Sequence, residues 1–228
     1  MEMSRKFIIL EPGQCPYEYD DGNVLVFGFT PSSWIQLPKS YTHFGVVTSG
    51  EIKLSYEYRE RHLVAGDFFS VVGPAVINSS GLGLINSARS YRGMNVFGGP
   101  LEEKGRLRYI NGCTATLLIP PVRSGDPCLN HLHLPKGIKQ TPHTHPSVRT
   151  GIVFRGGGEC LVPKEDKVVP LVEGCVFVIE PETVHSFNTA TDSMNVIAFH
   201  PDSDVGMTDE DGSYAISVVD SGGRRFHP

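Results

Sequence analysis

Short runs of Val, Ile, Phe and Tyr recur along the 228 residues, and most are closed by Gly, Pro or Asp. "FGVVTSG", "DFFSVVG", "TGIVFRGG", "CVFVIEP" and "MNVIAFHP" are examples. Few windows hold apolar positions at a helical period for the length a helix needs. Many short runs with turn residues at their ends predict an all-β sandwich or barrel. In "NHLHL" strict alternation puts His131 and His133 on one face, and Leu132 and Leu134 on the other. The period defines the two faces but not which of them is inside.

The pattern also repeats itself. Residues 42–74, "THFGVVTSGEIKLSYEYRERHLVAGDFFSVVGP", lie against 148–181, "VRTGIVFRGGGECLVPKEDKVVPLVEGCVFVIEP". Gly45 then meets Gly151, Gly50 meets Gly156, and Pro74 meets Pro181. "RSYRGMNVFGGP" (89–100) and "TDSMNVIAFHP" (191–201) share Met-Asn-Val and a closing Pro. Self-similarity at a spacing of about 100 residues predicts two copies of one β unit, not a solenoid of short repeats. Polar "PLEEKGRLRYINGC" ends the first copy and divides the chain into units 1–105 and 106–228. Residues 201–228 read as a solvated tail, since their Asp spacing lacks the closing Glu of a calcium loop.

Charge narrows the partners. With a net charge of −5, a pI near 6.0 and no run of more than two Lys or Arg, neither nucleic acid nor an anionic membrane surface is expected. The apolar run "FIIL" is too short for a signal-peptide core, and no later segment reaches membrane-spanning length, so a cytoplasmic protein is expected. Five scattered cysteines (Cys15, Cys113, Cys128, Cys160 and Cys175) without a Cys-x-x-Cys pair predict reduced thiols. Cys128 and Cys160 are expected to pack as small hydrophobes. The apolar strands "FIIL" (7–10) and "VLVFGF" (24–29) are expected to be exposed edges that pair in a homodimer.

Candidate chemistry gathers in "HLHLPKGIKQTPHTHPSVRTG", residues 131–151, which holds four of the nine histidines. Residues i and i+2 of an extended chain share a face about 6.6 Å apart, so His143 and His145 can converge on one ion. Pro142 and Pro146 stiffen the run. His185 follows a strand and a Pro-led turn and can complete the triangle. Gly137, His143, His145, Arg149 and Gly156 keep every spacing of the first cupin motif, G-x5-H-x-H-x3-E-x6-G, with Arg in place of Glu. The second motif, G-x5-P-x-G-x2-H-x3-N, is looser. Gly174 and His185 keep their separation, Pro181 comes one place late, Asn188 one place early, and the inner Gly is absent.

The chain thus resembles the cupin superfamily. The resemblance covers the second copy well and the first only as a degenerate relative. It implies a bicupin, two jelly-roll β-barrels in tandem with metal in the C-terminal one alone. In the first copy Leu37 and Lys39 stand at the His pair, His43 opposite Arg149, and Ile77 or Asn78 opposite His185.

Arginine stays protonated and cannot ligate a metal. One divalent ion per chain would therefore sit on three neutral imidazoles, keep its full charge and leave positions open. Such a site favours a small anionic, chelating substrate, with Arg149 gripping a carboxylate. Imidazoles suit several ions; Fe(II) is the first choice, with Zn, Ni, Mn or Cu as alternatives. Three-histidine cupins include iron dioxygenases, so the resemblance implies a non-haem Fe(II) dioxygenase. A zinc-type site would support a lyase, isomerase or hydrolase instead. A non-catalytic small-molecule binder is the third reading; no helix-turn-helix pattern accompanies it. Arg149 and Glu180 are the candidate catalytic residues. If His131 and His133 face inward, they would bond substrate or shuttle protons.

Overall fold

The computed structural model describes residues 6–11 and 16–203. It also describes the backbone of two short paired strands, Met207–Thr208 and Tyr214–Ala215. Cys15 and most of the expected solvated tail lie outside the described residues. Regular structure among the described residues is β apart from two 3₁₀ turns.

In chain order the strands of the first half are β1 (Phe7–Leu10), β2 (Tyr17–Tyr19), β3 (Val24–Phe29), β4 (Trp34–Leu37), β5 (Tyr41–Ser49) and β6 (Glu51–Tyr56). There follow β7 (Arg59–Val64), β8 (Phe68–Val72), β9 (Ala75–Ser79), β10 (Leu82–Arg89) and β11 (Val96–Gly98). The second half has β12 (Leu107–Arg108), β13 (Thr114–Ile119), β14 (Cys128–Leu134) and β15 (Arg149–Val162). It ends with β16 (Lys167–Val172), β17 (Val176–Ile179), β18 (Ser186–Asn188) and β19 (Met194–His200).

One sheet runs β11-β8-β5-β10-β3-β2, and a second runs β1-β17-β15-β19-β14-β13-β12 with β16 and β18 on β15. A third, β4-β9-β6-β7, covers the first. The two large sheets thus share one order, β8-β5-β10-β3-β2 matching β17-β15-β19-β14-β13. Registers match as well: Gly45 opposes Phe69, and Gly151 opposes Phe177. None of the sheets closes on itself among the described residues, so the expected closed barrels are not formed by hydrogen bonding.

Sequence pattern explains the layering. In β6 and β16, inward and outward positions alternate, with Ile52 and Leu54, or Val169 and Leu171, turned in. β5 and β15 are central and buried on both faces over their first turns of chain. Their two faces feed different cores. Residues such as Phe44, Val46, Ile152, Ile197 and Phe199 join the two large sheets. Phe177, Ile179, Phe187 and Val196 fill the inside of the second half. Phe29, Leu54, Phe69 and Ile77 fill the first.

Three sequence expectations are corrected here. The two Met-Asn-Val segments are not counterparts. Val96 enters the edge strand β11, whereas Met194–Val196 opens the interior strand β19, the positional match of β10. "FIIL" is not free either; it pairs along its length with β17, and Phe7 stacks on Phe177 at 5.4 Å. "VLVFGF" lies between β2 and β10. Both strands are paired within the chain, so they are not the free edges on which a homodimer was partly expected; the part of that expectation that leans on the cupin resemblance is untouched.

Candidate metal centre

The stretch before β15 is not a regular strand. It runs extended and antiparallel to the segment entering β18, touching it through isolated bridges Lys139–Asn188 and His143–His185. His143 N–H donates to His185 O and His185 N–H to His143 O, both at 3.0 Å. Gln140 N–H donates to Phe187 O at 3.1 Å, and its Oε1 accepts from Phe187 N–H at 3.1 Å. The turn after β17 closes the arrangement, because Glu182 N–H donates to His145 O at 2.7 Å. Two chain segments about forty residues apart are thereby laced together by main-chain bonds, which leaves little freedom to their side chains.

The result brings His143, His145 and His185 into one buried cluster, with one potential ligand atom of each within 4.8 Å of the others. It is the sole such group of three or more His, Cys, Asp or Glu found among the described residues. Nδ1 of His143 lies 2.9 Å from Thr141 O, and Nδ1 of His185 lies 2.9 Å from Thr183 O. A carbonyl only accepts, so each Nδ1 carries the proton and each Nε2 presents a lone pair. Nε2 of His185 and Nδ1 of His145 are buried without a hydrogen-bond partner. Unsatisfied buried ring nitrogens are costly, and a divalent ion would satisfy them. The donor set fits a metal.

Electrostatics keep these rings neutral. Burial, then His143 and Arg149, push the His185 pKa down to about 3. Burial first, then Arg149, drives His145 well below the usual range. His143 is lowered by burial. A neutral imidazole is the form that ligates.

Arg149 opens β15 and is 3% exposed. It lies in the same cavity wall as the three histidines. Its Nη1 donates to Ser147 Oγ and to Val148 O, and Nη2 lies 3.8 Å from Asp202 Oδ1. Burial lowers its pKa, with Asp202 opposing the shift. The cavity has a volume of about 30 Å³. Beyond Arg149 and Asp202 lies a wider cleft of about 500 Å³, lined by both halves of the chain.

The other expected site residues are placed elsewhere. His131 opposes Ile197 and His133 opposes Asn195, so both sit on the face of β14 turned towards the first half. Both are buried and tied to Asn195 Oδ1, at 2.8 and 3.1 Å. Leu132, on the opposite face, lines the cavity. Glu180 points away too; Tyr17 Oη donates to its Oε1 at 3.3 Å, and Lys6 N–H to its Oε2 at 3.1 Å. Cys128 and Cys160 are buried, with thiol pKa values raised by burial, as passive packing requires.

Two titratable cavity residues, Tyr109 and His200, escaped sequence reasoning. Tyr109 lines the wall from the segment before β13, its pKa pushed up to about 12 by burial. His200 ends β19, with its ring 6.4 Å from that of His145. A signal for His200 was present: Val196, Ala198 and His200 alternate along one strand face, and all three line the cavity.

No family model matches the chain, and no curated protein matches it in sequence. Solved structures do match in fold. A cupin 2 conserved barrel domain protein from Leptotrichia buccalis is 15% identical, with 87% of this chain and 89% of that one covered at a TM-score of 0.56. A mutant salicylate 1,2-dioxygenase from Pseudoaminobacter salicylatoxidans, in complex with gentisate, is 13% identical over 78% of this chain and 68% of that one, with a TM-score of 0.58. An 11S globulin from Wrightia tinctoria, described as revealing an auxin binding site, is 9% identical over 91% and 86%, with a TM-score of 0.61. The chain has the cupin fold. No helix among the described residues is long and apolar enough to cross a membrane.

Proposed function

We propose that the chain is a metal-dependent cupin enzyme that holds one divalent ion on His143, His145 and His185 and acts on a small anionic, chelating organic substrate. Fe(II) is the first choice of ion and oxygen the co-substrate, as in a non-haem dioxygenase. The observation that carries this reading is the cluster of three buried imidazoles, two of them (His145 and His185) with an unsatisfied ring nitrogen, and no carboxylate among them. The likeness in fold to a salicylate dioxygenase supports it. We also propose that residues 1–105 and 106–228 form two tandem cupin units, with β1 lent by the first to the second. The shared strand order and the matched Gly–Phe registers support the duplication.

When bound, the ion supplies positive charge and open coordination positions for an anionic substrate and oxygen. The protein's own groups do the rest. Thr141 O and Thr183 O fix the tautomer and aim of two ligands. Arg149 attracts and orients the anion, while Ser147, Val148 and Asp202 hold its guanidinium. Phe177, Ile179, Phe187 and Val196 keep water out, so each charge interaction is stronger than it would be in solvent.

Elemental analysis of protein loaded with Fe(II) under anaerobic conditions should give one ion per chain. Loss of His185 to Ala should abolish it, and loss of His43 to Ala should not. Two ions per chain, or full occupancy without His185, rejects the site. Turnover that proceeds equally well without oxygen replaces the dioxygenase with a lyase or isomerase.

A further inference from the structure

A separate cavity lies where the two halves meet. It is lined by β5, β8 and β11 of the first half, and by the end of β13 and the loop that follows. Its volume is about 160 Å³, and it shares no lining residue with the metal cavity. Phe44, Tyr91, Met94, Val96, Ile119 and Val122 supply most of its wall. Phe44 and Ile119 belong to the core that joins the halves, and Tyr91 and Val96 pack against that core. Met94 and Val122 are 54% and 52% exposed, so they form a rim that opens to solvent.

Size and wall chemistry point to the same kind of guest. Apolar cavities of about 150 Å³ stay dry and take up a molecule the size of benzene. Two walls here are aromatic: the rings of Phe44 and Tyr91 lie 6.3 Å apart, with 17° between their planes. Met94 adds a thioether at the rim, and sulfur packs favourably on ring edges. Hydrogen bonding offers a guest little, because the polar groups nearby are spent on one another. Ser70 Oγ donates to Met94 O at 2.6 Å, Thr42 Oγ1 donates to Tyr91 O at 2.6 Å, and Gly93 N–H donates to Thr42 Oγ1 at 3.0 Å. Val96 pairs with Ser70 in the sheet. A charged guest would shed its water and gain no partner in exchange.

We propose that this cavity is a binding site for one small uncharged aromatic molecule, a single ring that packs between Phe44, Tyr91 and Ile119 and enters past Met94 and Val122. The site stands apart from the metal centre in place and in chemistry. One takes an ion on three imidazoles; the other takes an apolar ring by contact alone. Because both halves supply its walls, an occupant also adds contacts across the junction between them.

The test uses the full chain with carbon-13 in its methionine methyl groups, titrated with fluorobenzene and with 4-fluorobenzoate. Met94 is the reporter, and Met194, buried in the core of the second half, is the control. Fluorobenzene should move the Met94 methyl signal saturably, with a dissociation constant of about 1 mM or less, and leave Met194 unmoved. It should also raise the melting temperature. The same ring with a carboxylate should bind at least tenfold more weakly. Val122→Trp and Val96→Phe each bring a ring of the protein's own to the cavity. Val122 is exposed and Val96 lies on an edge strand, so both variants should fold, and fluorobenzene affinity should fall at least tenfold. No saturable shift, equal movement of Met94 and Met194, or equal affinity for the two probes overturns the inference. So does an affinity unchanged in both variants. The readout involves no metal, so any of these results leaves the metal site standing.

Discussion

His43 and Arg149 occupy matched places in β5 and β15, yet Arg149 lines the metal cavity and His43 does not. His43 is fully buried between Ser87 Oγ, 2.7 Å from its Nδ1, and Pro38 O, 3.0 Å from its Nε2. Burial lowers its pKa from 6.5 to about 4, against the opposing pull of the Pro38 carbonyl. The unfolded chain therefore accepts a proton near pH 6.5 that the folded protein refuses until about pH 4. Stability falls as the pH drops through that window and levels off below it, at a cost of about 3 kcal/mol from this residue. Urea denaturation across pH 7 to 4 should show a shallower acid limb in His43→Gln than in the wild type, by about that amount. An acid limb identical in the two proteins would count against the burial of a neutral His43. At this scale the His-x-His spacing made the convergence of His143, His145 and His185 legible in advance. The same kind of pair at His131 and His133 was ambiguous, because alternation is symmetric between the two faces of a strand.

Glycine at the centre of each large sheet is the clearest trace of the repeat at the level of elements. A Cβ on Gly45 would come within 2.3 Å of the Phe69 ring, and one on Gly151 within 2.6 Å of the Phe177 ring. Each ring lies across its glycine, so neither position accepts a methyl group without displacing an aromatic in a filled core. Gly45→Ala and Gly151→Ala should each lose about 1–3 kcal/mol of stability in denaturant titrations. They should differ in a second measurement. Phe177 lines the cavity and Phe69 does not, so only Gly151→Ala should weaken retention of the loaded ion. Equal metal retention in the two variants would disconnect Phe177 from the site. Gly50 and Gly156, also matched in sequence, both adopt positive φ, +66° and +75°. The Met-Asn-Val match misled because three shared residues lack the length to specify a sheet position. The glycines succeeded because only their size permits the close ring approach.

The two halves meet as a whole through the faces of the two large sheets. Phe44 of β5 and Phe199 of β19 pack with ring centroids 5.2 Å apart, and Thr150 Oγ1 donates to Asn86 Oδ1 at 2.5 Å. With β1 paired to β17 as well, the halves are expected to unfold together. Phe199→Ala should lower stability by about 3–5 kcal/mol and move a single cooperative transition. Two separated transitions, with only one displaced, would show that the halves fold independently. By itself the sequence determined the all-β class, the approximate strands, and the clustering of three histidines with an arginine. These follow from local periodicity and from spacings of a few residues. Only the tertiary structure decided that Leu132, and not His131, looks into the cavity, that Glu180 is spent on Tyr17 and the chain near Lys6, and that His200 lines the same cavity as Arg149. Each of those outcomes depends on which sheet face is covered and by what, and that is set by packing between residues far apart in the chain.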